Sequence, residues 1–92
     1  MANINIQSQT ELDNGWSYQV KLQDNGEHSY SVTLSQSDYE QWSQGASPDK
    51  VIEAAFAFLL EREPASAILS EFDCSVIRRY FPEVDRELPK RL

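Results

Sequence analysis

From Trp16 to Leu22 every second residue is apolar: Trp16, Tyr18, Val20 and Leu22 alternate with Ser17, Gln19 and Lys21. His28, Tyr30, Val32 and Leu34 alternate with Ser29, Ser31 and Thr33 in the same way. A period of two is the signature of a strand with one buried face. Ile4 and Ile6 open a weaker strand that trails into Gln7, Ser8, Gln9 and Thr10. Asp-Asn-Gly stands between these runs twice, at 13–15 and at 24–26. Asn-Gly is a hairpin signal because both residues tolerate positive φ.

Parity selects the loop length. A two-residue Asn25-Gly26 loop would set apolar Leu22 opposite polar Ser29. A three-residue loop, Asp24 to Gly26, pairs Leu22 with His28, Val20 with Tyr30 and Tyr18 with Val32, so one face is apolar throughout. Gly26 then takes the left-handed position of a type I turn with a bulge. The same count around Asp13-Asn14-Gly15 pairs Leu12 with Trp16 and Ile6 with Leu22. Two hairpins make a three-stranded antiparallel meander.

From Ser35 the period lengthens. Ser37-Asp38-Tyr39-Glu40 has the form of a capping box with Ser37 as N-cap, Tyr39 and Trp42 follow at helical spacing, and Gly45 closes a short helix. Ser47-Pro48-Asp49 supplies an N-cap, a first-position proline and a first-turn acid for the next helix, which Pro64 ends. Nine of the ten residues Val51–Leu60 are apolar. On a helical wheel the large ones cover roughly 200°, more than half the circumference. Such a helix touches the sheet on one side and something else on the other: either the C-terminal segments or a second copy of the chain. Ile68, Leu69 and Phe72 read as a short helical stretch. Asp73 can cap a further turn or two carrying Val76, Ile77, Tyr80 and Phe81, stopped by Pro82. The predicted architecture is α+β: a three-stranded meander followed by two to four helices packed on one face, βββααα. It forms a single small domain over 1–92, with the meander at 1–34, helices at 35–81 and a basic tail at 82–92.

Charge narrows the partners. The 92 residues carry a net charge of −7, which disfavours nucleic acid phosphates and anionic lipid. Residues 1–77 hold 12 acidic and 3 basic side chains, a net of −9, whereas 78–92 hold five basic and three acidic, a net of +2. The basic end either lies against the acidic body or serves as a docking surface, whose candidate partner-facing residues are Arg78, Arg79, Arg86, Lys90 and Arg91. Arg beside the aromatic pair Tyr80-Phe81 is the chemistry of an interface anchor, with the aromatics packed inward and both guanidinium groups in water. The apolar block is shorter than the roughly 20 residues that a membrane span needs. The N-terminal MANINIQSQ lacks the basic and apolar regions of a secretory signal, and the one cysteine, Cys74, forms no internal disulfide, so a cytoplasmic location is expected.

Catalytic chemistry is not signalled. The three glycines mark turns rather than a phosphate loop, and one His with one Cys makes no typical zinc site, so neither cofactor nor metal is expected. His28 caps the end of the apolar strand face. Cys74 stands near a helix start, where the dipole lowers a thiol pKa, but with no second Cys or nearby His it reads as a packing residue.

Residues 30–62, YSVTLSQSDYEQWSQGASPDKVIEAAFAFLLER, resemble in part the ribbon-helix-helix pattern of strand, capped helix, Gly turn and Ser-capped helix. That resemblance implies a strand paired with its twin, presenting Ser29, Ser31 and Thr33 to a DNA groove, as in a transcriptional regulator or an antitoxin-type dimer. The segments EAAFAFLLEREP, ILSEFDCSVI and YFPE are similar to a family of short bacterial proteins of unknown function, which implies a bacterial cytosolic setting and no activity. The residues themselves point to a small acidic protein–protein interaction module, not an enzyme, that binds an unidentified protein or itself.

Overall fold

A computed structural model of the chain describes residues 3–23 and 26–92. Three long antiparallel strands form the meander: β1 (Asn3–Leu12), β2 (Gly15–Gln23) and β3 (Glu27–Ser35). Between β2 and β3 the register is the one parity demands, with Tyr18 opposite Val32, Val20 opposite Tyr30 and Leu22 opposite His28. Gly26 has a positive φ, and Asp24 and Asn25 of that turn lie outside the described residues.

The first hairpin departs from expectation. Leu12 pairs with Gly15 rather than with Trp16, across a two-residue loop, and Glu11 faces Trp16. A shift between Ile6 and Ser8 then restores phase, so Ile6 pairs with Val20 and Ile4 with Leu22. Without that bulge, the shorter loop would leave Ile4 and Ile6 on the polar face. Gly15 is fixed by space. A Cβ there would lie 2.1 Å from the Leu34 carbonyl oxygen and 2.9 Å from the Ser35 Cα, both backbone atoms.

The sheet has a fourth strand that the periodicity did not announce. β4 (Glu71–Asp73) lies parallel to β3, giving the order β1-β2-β3-β4. Phe72, expected in a helix, is therefore a strand residue opposite Val32. Ala65–Ala67 makes a single 3₁₀ turn before it. Helices α1 (Gln36–Trp42) and α2 (Pro48–Leu60) form the crossover that a parallel pair requires. Ser35, not Ser37, caps α1: its hydroxyl accepts from the Asp38 N–H at 3.2 Å. Helix α2 starts at the expected Ser47-Pro48-Asp49.

Helix α2 is the core. Val51, Ile52, Phe56 and Phe58 are completely buried, with Ala54, Ala55 and Leu59 nearly so. Phe56 meets Tyr30 of the sheet at 5.2 Å and Phe72 of β4 at 6.1 Å between ring centroids. Asp49 Oδ1 accepts from the Tyr18 hydroxyl at 3.0 Å, and burial together with that carboxylate pushes the phenol pKa up. Trp16 is only half-buried and packs edge-on against Tyr39 of α1 at 5.0 Å. The remaining helices are not laid on the same sheet face. α3 (Ser75–Tyr80) and α4 (Val84–Glu87) close the far side of α2 through Phe81 against Phe58 at 6.1 Å, and reach α1 through Arg78 and Asp85. The apolar helix thus finds its second partner within the chain. The stretch read as a basic tail belongs to this core, since Val84 and Leu88 are completely buried. Among the described residues no helix is long and apolar enough to cross a membrane.

Candidate interaction site

Helix α3 follows directly on β4, so its start is set by the sheet edge. Asp73 Oδ2 accepts from the Ser75 N–H at 3.0 Å, and Oδ1 accepts from the Thr33 hydroxyl. Burial alone would raise the Asp73 pKa, but the bonds from Ser75 and Thr33 outweigh it and hold the carboxyl below its ordinary value. Cys74 sits at the same junction, wholly buried. Burial, then the charges of Asp73 and Asp38, push its thiol pKa well up, which reverses the helix-dipole expectation.

Successive helical residues point about 100° apart, so the neighbours Arg78 and Arg79 have different fates. Arg78 turns inward. Its guanidinium makes a forked pair with Asp85, Nε to Oδ2 at 2.7 Å and Nη2 to Oδ1 at 2.8 Å. Nη2 also donates to Asp38 Oδ1 at 3.0 Å, and the group lies over the Trp42 ring at 5.4 Å. The Trp42 indole N–H completes the cluster with a 2.7 Å bond to Asp85 Oδ1. The Asp85 carboxyl is held below its ordinary pKa, first by the Arg78 fork and then by Trp42, against the opposing effect of burial. This cluster ties α1, α3 and α4 together.

Arg91 is also engaged within the chain. It pairs with Glu61 and lies 6.0 Å from the Phe58 ring, whose face is covered more closely by Arg62 at 3.7 Å. Lys90 makes a long 3.9 Å contact with Glu87 and is mostly exposed. Arg79 and Arg86 are exposed, and no ion pair within 4.0 Å joins either to a described residue. Of the five residues proposed from sequence, Arg78 ties helices together, Arg91 makes a surface pair with exposed Glu61, Lys90 makes a loose pair, and Arg79 and Arg86 face water.

Near this end of the chain, exposed apolar surface is found at the end of α3 and just before β4. Tyr80, expected to pack inward, is 67 % exposed, and Leu69 is 51 % exposed. Both stand at the mouth of a pocket of about 200 Å³ whose walls include Leu59 of α2, Ile68, Phe72 of β4, and Val76 and Ile77 of α3. Among the described residues Glu63 is the one charged residue in its lining. Arg79 borders the arc of α3 that carries Val76 and Tyr80. The exposure of Leu69 and Tyr80 had no signal in the sequence, where both fall on apolar helical positions. No family model, curated protein or solved structure matches this chain.

Proposed function

We propose that this protein is a protein–protein interaction module without catalysis, and that it receives its partner at the pocket between β4, α2 and α3. The observation that carries the reading is the pair of large apolar side chains, Leu69 and Tyr80, left exposed at the mouth of an otherwise apolar pocket. A small domain has few such residues to spare from its core, and aromatic-plus-Arg surfaces dominate binding energy at interfaces. Arg79 beside the pocket adds a cation free of any ion pair to a described residue, in a chain whose net charge is −7. The partner segment is therefore one that inserts an apolar side chain and carries a carboxylate next to it.

The polar face of the sheet supports the protein reading over duplex DNA. Strand β3 pairs along its length with β2 and at Ser31–Thr33 with β4, which leaves no full edge for a twin, and among the described residues of β2 and β3 Lys21 is the one cation, already paired with Glu27 at 3.1 Å. Phosphate contacts supply most of the affinity for nucleic acid, and this face offers few.

Tyr80→Ser and Arg79→Ala, made separately, test the proposal. Each is expected to keep the parent's urea midpoint while losing proteins that the immobilised parent retains from its native host, identified by mass spectrometry. An identical retained set for parent and Tyr80→Ser would end it.

A further inference from the structure

Strand β1 lies at the edge of the sheet, with β2 on one side and no described strand on the other. Its second half, Gln7 to Leu12, is exposed on both faces. Edge strands of this length are templates for another strand unless Lys, Pro, inward charge or a covering element blocks them. Apart from its bulge and Glu11, which shares the face of Trp16 but is exposed, β1 has none of these. It contains no Lys, Arg or Pro, and Glu11 is its one charged residue.

The ladder shows which backbone groups are free. Gln36 N–H donates to Asn14 O at 2.7 Å, which makes Gly15 and Ser35 a non-bonded pair and directs Trp16 and Tyr18 toward β3. The bond from Ser31 N–H to Ser70 O at 2.8 Å fixes the same phase from the other side. Gln9 faces Tyr18 and Glu11 faces Trp16, so the N–H and C=O groups of both Gln9 and Glu11 point away from the sheet.

We infer that the Ser8–Leu12 half of β1 pairs antiparallel with the same segment of a second copy, about a two-fold axis at Thr10. In that register Gln9 of each chain exchanges both backbone bonds with Glu11 of the other, four in all, using every outward group of this half-strand. Thr10 meets its twin in the close non-bonded position, a favourable cross-strand pair, and Ser8 lies opposite Leu12, which is 48 % exposed. The axis sets each Glu11 against an uncharged Gln9 and keeps the two glutamates apart. The occupant is a second copy because the segment is self-complementary and nearly neutral in a chain of net charge −7; most other surfaces of that chain would repel a twin. Four bonds and a five-residue contact form a small interface, so the dimer is weak and concentration-dependent. It is independent of the α3 pocket.

The test is sedimentation velocity on the full chain from about 10 µM to about 1 mM, a range that spans weak association. The parent is expected to shift from monomer toward dimer. Thr10→Lys, which changes an exposed side chain and sets two ammonium groups together at the axis, is expected to stay monomeric with an unchanged urea midpoint. Thr10→Glu is expected to behave likewise, and an equimolar mixture of the two variants to regain the dimer, because the axis then pairs Lys with Glu. A parent monomeric throughout the range overturns the inference. So does a dimer that survives Thr10→Lys, or a mixture that fails to recover it. Should either variant unfold, hydrogen exchange of the parent decides: Gln9 and Glu11 amides slowed at high concentration support the pairing, and unchanged rates refute it.

Discussion

Replacing Arg78 by Ala separates a structural arginine from a docking one. Arg78 is about two-thirds buried, and Asp38, which accepts one of its bonds, is only 6 % exposed. A fully exposed ion pair contributes about 0–1 kcal/mol, and breaking a fully buried one costs about 3–5 kcal/mol. Arg78 lies between these limits, with a forked bond to Asp85, a third bond to Asp38 and the Trp42 ring beneath it. The variant is expected to lose about 2–4 kcal/mol at pH 7, since hydrogen bonds to charged groups contribute about 1.5–3 kcal/mol and a carboxylate is left without its cation. With a urea slope of about 1–1.5 kcal/mol/M for so short a chain, the midpoint falls by about 1.3–4 M. Acid supplies the sign. The Arg78 fork, then the Trp42 bond, hold Asp85 below its ordinary pKa, so their stabilisation is present above the unfolded value of about 3.9 and is lost as pH falls through the folded value. The gap between parent and variant should therefore narrow below about pH 4. Equal midpoints at pH 7, or a gap undiminished in acid, would refute this account of Arg78.

Phe56→Ala is expected to cost about 3–5 kcal/mol, because the ring is completely buried between Tyr30 and Phe72; a urea midpoint equal to the parent's would contradict that packing. Cys74, buried and with its thiol pKa raised, should resist an aromatic disulfide reagent at pH 8 until urea unfolds the chain. Rapid modification of the native protein would show that the β4–α3 junction opens.

The β2–β3 register was legible because both strands alternate cleanly and one loop length alone keeps their faces coherent. The β1 register was not. Gln7, Ser8 and Gln9 are all polar, so period two has no phase there, and a bulge between Ile6 and Ser8 changes no visible pattern. Strand β4 escaped for a different reason. Three residues are too few to show a period, and its partner β3 lies about forty positions upstream, where the pairing follows from the helical crossover rather than from local composition. The α1 cap lies at Ser35, two residues before the expected Ser37. A tertiary contact decides it: Gln36 N–H already donates to Asn14 O at the end of the first hairpin, so the chain turns helical there.

The basic C-terminal end could be found from sequence, but the division of labour within it could not. Helical geometry guarantees that Arg78 and Arg79 point in different directions, yet which one turns inward depends on Asp38, forty positions away, and on Asp85 across the Pro82 turn. The same holds for Arg91, whose partner Glu61 ends α2. A joint Arg78→Ala, Arg79→Ala substitution therefore mixes a folding effect with a surface effect, and loss of a partner in that variant would say nothing about docking. Arg79→Ala alone removes a cation that has no ion pair to lose within the described residues. If that variant keeps the parent's stability and loses the partner, the docking charge on α3 belongs to Arg79; if it keeps both, the charge on that helix serves the fold through Arg78.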